Sequence, residues 1–359
     1  MQTGSSIAEI SADLSACLEM NLPVWVWGAP GIGKSEAVYQ VATERRRARL
    51  AALADSSSKI TLGDIVKPRV VDIRLSTFDP VDLRGLPAIV DGLTKWLRPA
   101  IWPAMNETEE TILFFDEMDR AAPAVANAAL QIVLDRRIGE HVLPDSVRIV
   151  AAGNGDSDRV GTTKISAAQS NRFTHLYAVA DAEATAAHLA SNGTHAAMVA
   201  FLRFRGEARD GKPGLIHGAP VAGEKAFPSP RAWEKVSRMI DLPPAQRARL
   251  VRGTVGSAAA IEFEAFVRSY AALAGLMSEI FARPESAPVP DEPSLQYAVS
   301  SAVARKADFN TWAAVHTYAK RLPIEFGINT ILDAVRRNPG LKATAEYGAW
   351  AVANQAVAL

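Results

Sequence analysis

Two hydrophobic periodicities alternate along the first half of the chain. Apolar residues recur with helical spacing over 7–20, and a run of residues that favour strands, Val24 to Trp27, comes shortly after. The same alternation continues, with strands predicted at 70–75, 111–115, 148–152 and 175–179 and helices predicted at 35–50 and 121–134. Strands that alternate with helices in this way predict a parallel sheet covered by helices.

The second half of the chain has a different pattern. Beyond residue 180 the strand-like runs stop, and helical spacing continues between two stretches rich in Gly or Pro, 206–230 and 284–293. We therefore predict a domain boundary near residue 180, with an α/β core over residues 1–180 and a helical region over residues 181–359.

One segment of the predicted core interrupts the alternation of strands and helices. Within residues 88–97, Asp91 and Gly92 separate two short apolar runs. An Asp-Gly pair at this place favours a β-hairpin, because both central residues of a tight hairpin turn take positive φ. We predict that this hairpin is inserted into the core.

Composition narrows the kinds of partner that the protein can have. Lys plus Arg and Asp plus Glu both number 39, so the zero net charge does not attract polyanions over long distances, and a nucleic-acid partner is not expected. The arginines within 45–49 are interpreted as a solvated helix end. No long apolar segment and no basic-then-apolar N-terminal stretch occur, so we expect no membrane contact and a cytoplasmic location.

A phosphate-binding pattern lies between the first predicted strand and the helix that follows it. Successive backbone N–H groups of such a loop surround phosphate oxygens, and the positive end of the next helix faces them. We predict that Lys34 contacts the β and γ phosphates of ATP and that Ser35 is a ligand of Mg²⁺. The alternative is a Gly-rich turn that only joins a strand to a helix. The pattern G-x-x-x-x-G-K-[ST] is matched at every fixed position by Gly28, Ala29, Pro30, Gly31, Ile32, Gly33, Lys34 and Ser35.

The other half of a phosphate-transfer site is predicted at the end of a second strand. The strand-like run 111–115 leads directly into Asp116 and Glu117. Asp116 can reach Mg²⁺ directly or through water, and Glu117 can orient and deprotonate the attacking water. Two carboxylates after a strand are also common on solvated surfaces, but a phosphate loop upstream favours the functional interpretation.

The order of these motifs resembles that of AAA+ ATPases. In that family a polar residue after a further strand helps to position the water, and Asn154 stands at this place in the sequence. The segment 170–173 resembles the one that presents an arginine finger to the neighbouring subunit, which makes Arg172 the candidate finger. Arg159 is the alternative finger.

Two further segments extend the resemblance. Residues 227–232 resemble the start of the sensor-two helix, from which Arg231 would contact the γ phosphate. Residues 79–87, together with the hairpin that follows them, resemble the helix-two insertion of the MoxR and dynein-related branch. The chain departs from the family at Asn171, where many members have an acidic residue, and in a helical tail longer than a minimal lid.

The resemblance implies a P-loop NTPase fold, an α/β three-layer core with a parallel sheet, followed by an α-helical lid. It also implies an ATP hydrolase that uses ATP and Mg²⁺ and assembles as a ring homo-oligomer, a hexamer. Such a MoxR-like ATPase remodels or activates a partner protein, for which a protein with a von Willebrand factor A domain is a candidate.

Two other classes of protein share the same phosphate-site motifs. A nucleic-acid motor should carry a DNA-reading domain or a basic channel, and the neutral composition counts against it. A scaffold that ATP only stabilises would hydrolyse slowly, and the base expected at Glu117 counts against that.

Overall fold

The computed structural model of the protein describes residues 4–54, 69–104, 109–154, 170–208, 211–219, 223–271 and 273–354. Contacts divide the chain into two units, Met1–Val179 and Ala180–Leu359. The strands of the first unit are β1 Val24–Trp27, β2 Val70–Arg74, β3 Leu86–Val90, β4 Leu93–Leu97, β5 Thr111–Asp116, β6 Arg137–Ile138, β7 His141–Val142, β8 Val147–Gly153 and β9 Thr174–Tyr177. Its helices are α1 Ile7–Glu19, α2 Lys34–Ala54, α3 Pro80–Arg84 and α4 Pro123–Asp135, and single 3₁₀ turns lie at Leu75–Thr77 and Met118–Arg120.

Five strands of the first unit form one parallel sheet in the order β2-β5-β8-β1-β9. β1 lies between β8 and β9, with Val24 level with Val150 on one side and with Thr174 on the other. Because all five strands run in the same direction, their carboxyl ends meet at a single edge of the sheet. The residues that follow the adjacent strands β5, β8 and β1 are therefore neighbours in space.

Helices cover both faces of this sheet. α1 and α2 pack against each other and contact strands on one face, whereas α4 covers the other face together with side chains such as Trp25 and Phe115. Successive strand residues point to opposite faces, so Phe114 and Phe115 are both fully buried although they lie on different sides of the sheet. The predicted α/β fold class, a three-layer P-loop core with a parallel sheet, is confirmed.

The strands β3 and β4 form a separate antiparallel hairpin. Asp91 and Gly92 occupy its turn with φ values of 54° and 75°, which is the conformation that an Asp-Gly pair favours. Apolar side chains of the hairpin are exposed, among them Ile89 at 84% and Leu93 at 65%. These side chains therefore contribute little to the core of the unit.

A second, shorter hairpin was not predicted from the sequence. β6 and β7 pair through Ile138 and His141. Strands of two residues are too short to show a hydrophobic period, and they pair because the chain reverses at Gly139-Glu140.

The second unit contains only helices as regular elements within the part that the structure describes. Its core is aromatic, with the ring of Phe201 5.2 Å from those of Trp233 and Phe263. In the described ranges of the whole chain, no helix has the length and apolar character needed to cross a membrane. The helices are α5 Ala182–Ser191, α6 Ala196–Arg205, α7 Pro230–Ser237, α8 Pro244–Val255, α9 Ser257–Ala271, α10 Ala274–Ala282, α11 Pro293–Arg305, α12 Trp312–Ala319, α13 Ile324–Arg337 and α14 Ala345–Ala353.

A buried ion pair joins three helices of the second unit. The side chains of Arg203 on α6 and Asp333 on α13 are each only 3% exposed, and they form a salt bridge. Arg203 also donates to Glu183 on α5 at 2.8 Å. Burial alone would lower the pKa of Arg203, but the hydrogen bonds to both carboxylates outweigh that effect and raise it. The charge is therefore stable in the core only while its partners are present.

We predict that Asp333→Ala lowers the free energy of unfolding by about 3 kcal/mol, since it leaves a buried guanidinium with one partner fewer. The matched control is Arg238→Ala, which removes an exposed pair between the residue that caps α7 and Glu234, one turn earlier. This change should alter stability by less than about 0.5 kcal/mol. Urea unfolding followed by circular dichroism measures both. Equal losses in the two variants would contradict the prediction.

Candidate active site

The phosphate loop, residues 28–33, makes the whole connection between β1 and α2. Gly33 has a φ of 106°, which side-chain-bearing residues rarely adopt. A Cβ atom at Gly28 would lie 2.6 Å from the carbonyl oxygen of Ala178, so a larger residue does not fit. The glycines of the sequence pattern therefore allow a tight turn of backbone between strand and helix, as a phosphate cradle requires.

The other loop residues divide into one anchor and an open segment. Ile32 is only 4% exposed and holds the loop against the core. Ala29, Pro30 and Gly31 are partly exposed at the surface of the loop. The backbone of this open segment is the part of the loop that a phosphate can approach.

Lys34 is a buried cation surrounded by oxygen atoms. Its residue is 8% exposed, and its ammonium group donates to the carbonyl oxygens of Gly28 at 2.7 Å and Ala29 at 3.0 Å. A third contact, at 3.0 Å, reaches the side-chain oxygen of Asn154, which follows β8. The structure thus joins the predicted phosphate-binding lysine to the predicted water-positioning residue, two positions 120 residues apart in the sequence.

Asp116 and Ser35 place two oxygen atoms at the same edge of the sheet. The Ser35 hydroxyl lies 3.5 Å from Oδ2 of Asp116, which is long for a hydrogen bond between oxygens. Burial raises the pKa of Asp116, and the charges of Asp72 and Glu117 raise it further, while the backbone N–H of Glu117 opposes the rise. A hydroxyl and a carboxylate in an excess of negative charge fit Mg²⁺, which prefers oxygen ligands.

Glu117 has an unusual backbone and two side-chain partners. Its φ and ψ are 53° and 36°, the left-handed region that non-glycine residues enter at a cost of about 1 kcal/mol or more. Its N–H donates to Oδ1 of Asp116 at 2.9 Å. The hydroxyl of Ser76 donates to one oxygen of the carboxylate, and Arg74 lies 3.8 Å from the other. Arg74 is the last residue of β2 and Ser76 lies in the 3₁₀ turn that follows, so the carboxyl end of the neighbouring strand and its turn set the direction of this carboxylate.

Asp119 was not selected from the sequence, although it holds the site together. Its carboxylate is buried and accepts the backbone N–H of Asn154 at 2.9 Å. Because Asp119 follows Glu117 by two residues, one short turn carries both the candidate base and the anchor of Asn154. The sequence signal for Asp119 is only that an acidic residue follows shortly after the Asp-Glu pair. Ser76 was also not predicted, since a single serine after a strand has no distinguishing pattern.

Of the three arginines named in the sequence analysis, Arg172 belongs to the same unit as this cluster, Arg231 belongs to the second unit, and Arg159 lies outside the described ranges. Arg172 lies in a turn just before β9 and is partly buried. Arg231 is the second residue of α7, in the helical unit, and its side chain is exposed. Arg159 falls within 155–169, outside the described residues.

The fold and the loop define a P-loop core that can bind phosphate. No known protein-family model and no curated protein matches the sequence. Three similar solved structures are a putative ATPase from Cytophaga hutchinsonii (13% identity, 92% of this chain and 81% of that chain, TM-score 0.37), NtrX from Brucella abortus in complex with ATP (13%, 100% and 70%, 0.34) and the RuvB Holliday junction branch migration motor of Thermotoga maritima (12%, 88% and 86%, 0.38). Likenesses this distant do not define a family for the chain, so its function has to be inferred from the site.

We predict that Glu117→Gln binds ATP but hydrolyses it at least about a hundredfold more slowly, because the amide cannot accept a proton from the attacking water. Single-turnover hydrolysis of radiolabelled ATP measures the chemical step. Binding of a fluorescent ATP analogue should be unchanged in this variant.

Lys34→Ala is the control for the binding assay. Loss of the buried ammonium should abolish binding of the same analogue, since no other described side chain replaces its position in the loop. A near-normal single-turnover rate in Glu117→Gln would exclude Glu117 as the base, and undiminished binding in Lys34→Ala would exclude the loop as the nucleotide site.

Proposed function

We propose that the protein is an ATP hydrolase of the AAA+ type. One observation carries the proposal: Lys34, Asn154, Asp116 and Glu117 converge at the carboxyl edge of a parallel sheet, beside a phosphate loop. Ligand sites of open parallel sheets lie at this edge. A loop that merely connected a strand to a helix would have no need of a buried cation and two carboxylates around it.

The proposed reaction is the hydrolysis of the γ phosphate of ATP. The loop and Lys34 hold the phosphates. Ser35 and Asp116 would hold Mg²⁺, which would neutralise negative charge on the phosphates. Glu117 takes a proton from a water molecule whose oxygen attacks the γ phosphorus, while Asn154 orients that water. The bond between the γ phosphorus and its bridging oxygen breaks, and ADP leaves with the electron pair.

A ring is proposed because Arg172 lies at the wrong edge of the sheet to serve its own site. Trp27 is the last residue of β1 before the phosphate loop, and it is level with Tyr177 in the neighbouring strand. β9 begins at Thr174, three residues before Tyr177 and therefore about 10 Å from it at 3.3 Å per strand residue, and Arg172 lies in the turn before that strand. Its guanidinium can therefore reach the nucleotide of a neighbouring subunit more readily than its own. We propose a homo-oligomeric ring, a hexamer by family resemblance, with Arg231 contributing from the helical unit.

The hairpin β3–β4 is proposed to contact the protein that the ring remodels. It carries exposed apolar side chains on an otherwise well-packed unit, and it supplies no residue to the site described above. Exposed apolar surface of this kind is typical of protein contacts. The MoxR-like branch and a partner with a von Willebrand factor A domain are the assignments that the family resemblance suggests.

We predict that replacing residues 88–97 by a short Gly-Ser turn leaves basal ATP hydrolysis within about twofold and removes partner binding, because the hairpin's apolar side chains lie outside the core. A milder variant, Ile89→Ser with Leu93→Ser, keeps the hairpin but removes two exposed apolar groups, and it should bind the partner more weakly.

Co-purification of partners with Glu117→Gln protein in ATP measures this binding. The matched control is Ile261→Ser, which removes an apolar side chain of 70% exposure from the helical unit. Loss of basal hydrolysis on removing the hairpin would show that it is needed for assembly instead.

We predict that Arg172→Ala binds ATP but hydrolyses it about a thousandfold more slowly, as expected when an arginine is withdrawn from the γ phosphate. Mixing this variant with Glu117→Gln should restore hydrolysis, because one interface then combines an intact Glu117 with an intact Arg172. Steady-state phosphate release measures the recovery, with and without added DNA.

Stimulation by DNA would favour a nucleic-acid motor over a protein remodeller. Mixed rings that demonstrably contain both variants and stay inactive would exclude Arg172 as a finger acting between subunits, and Arg159 would then be the residue to change.

A further inference from the structure

A stack of aromatic rings connects the start of the phosphate loop with the turn that carries Arg172. Trp25 and Trp27 lie face to face, with ring centres 4.4 Å apart and planes 11° from parallel. Phe173 meets Trp25 edge-on at 5.0 Å, and His175 stacks beside Trp27 at 5.9 Å. The four rings belong to β1, to β9 and to the turn before β9.

Hydrogen bonds of His175 link this stack to Ser170 and fix the tautomer of the imidazole. The indole N–H of Trp27 donates to Nδ1 of His175 at 2.7 Å. An indole nitrogen can only donate, so Nδ1 accepts and the ring proton of His175 is on Nε2. Nε2 lies 2.8 Å from the carbonyl oxygen of Ser170 and 3.0 Å from its hydroxyl, and it donates to them. One tautomer of one histidine therefore satisfies both neighbours.

These contacts run from one edge of the sheet to the other. Trp27 is the residue directly before the phosphate loop. Ser170 opens the turn that contains Arg172, and its carbonyl oxygen also accepts the backbone N–H of Phe173 at 3.1 Å. His175 thus adds a second bond to the carbonyl that closes this turn. The backbone on both sides of Arg172 is held by the histidine and by the burial of Phe173, which is 7% exposed.

We propose that His175 is a positioning residue for Arg172, and that through Trp27 it ties the arginine turn to the strand that leads into the phosphate loop. The imidazole does not touch the nucleotide; it fixes the direction in which a subunit presents its arginine to the next one. This inference rests on the proposed role of Arg172 between subunits.

The chain offers substitutions that separate the bond of His175 to Trp27 from its bonds to Ser170. His175→Phe keeps a stacked ring and loses all of these bonds. His175→Asn keeps an acceptor near Trp27 but is too short to reach Ser170, and His175→Gln retains an N–H near the place of Nε2. Ser170→Ala is the matched control, since it removes the hydroxyl and leaves the carbonyl that accepts the bond.

His175→Phe and His175→Asn should lower the steady-state rate of ATP hydrolysis about tenfold to a hundredfold, the range expected when a catalytic group is displaced by about 1 Å. Binding of a fluorescent ATP analogue should not change. His175→Gln and Ser170→Ala should stay within about threefold of the unaltered protein, because the bond to the Ser170 carbonyl survives.

Mixed rings decide whether the defect lies in the arginine that a subunit lends or in its own site. His175→Phe mixed with Glu117→Gln should regain activity, since the first supplies an intact site and the second an intact arginine. His175→Phe mixed with Arg172→Ala should stay inactive, because neither supplies a well-placed arginine. If His175→Phe does not fold, His175→Asn takes its place in both mixtures.

The opposite pattern, recovery with Arg172→Ala and none with Glu117→Gln, would overturn the proposal and place the effect of His175 in its own nucleotide site. Loss of ATP binding in both His175→Phe and His175→Asn would overturn it as well.

The mixture of Arg172→Ala with Glu117→Gln tests the underlying function separately. If that pair fails to recover although it co-assembles, the arginine does not act between subunits, and the proposed role of His175 is then excluded too. If that pair recovers and the His175 mixtures do not follow the expected pattern, only the present inference fails.

Discussion

The buried ammonium group of Lys34 is the interaction on which the rest of the site depends. A positive charge with so little contact with water needs oxygen atoms around it, and three of them are present within 3.0 Å. Two come from the loop itself, which must therefore fold back over the lysine, as its glycines allow. The third belongs to Asn154, which can reach the ammonium only because β8 is the direct neighbour of β1. Burial of this one charge therefore depends both on the conformation of the phosphate loop and on the order of the strands in the sheet.

The carboxylates of the site are placed near charges of their own sign, whereas the ammonium group of Lys34 is surrounded by oxygen atoms that attract it. Asp72, Asp116 and Glu117 lie close enough for their charges to act on one another, and burial together with this repulsion raises the pKa of Asp116. The arrangement is stable because each carboxylate also has donors, such as the backbone N–H and the Ser76 hydroxyl that hold Asp116 and Glu117. An excess of carboxylate oxygens beside a cationic loop suits a metal-bound triphosphate, whose own charges are of both signs.

The two ends of the parallel sheet carry groups with different proposed roles. The groups proposed to bind and cleave ATP follow the carboxyl ends of the strands, whereas Arg172 precedes the amino end of β9. In a ring, one edge of the sheet would belong to the subunit's own nucleotide and the other to that of its neighbour. The contacts from Trp27 through His175 to Ser170 connect the two edges within one chain.

The sequence alone predicted the fold class, which the structure confirms, and it singled out the central residues of the candidate site. Strand and helix periodicity predicted the main elements of the core to within a few residues, because each strand of the parallel sheet is a short run with several residues that favour strands. The fixed positions of the phosphate loop and the Asp-Glu pair could be recognised because their chemistry requires particular residue types at particular spacings. The hairpin β3–β4 was readable for a similar reason, since its turn needs positive φ at Asp91 and Gly92.

Tertiary structure alone decided which distant residues support that site. Asp119, Ser76 and His175 act through one or a few hydrogen bonds to groups on other elements, and such bonds leave no period or spacing in the sequence. The edge of the sheet on which Arg172 lies was equally hidden, because it follows from the direction and the register in which β9 pairs with β1. A local sequence pattern indicates which secondary structure a segment can form. The hydrogen-bond partner of a single polar side chain is decided only when packing brings two segments together.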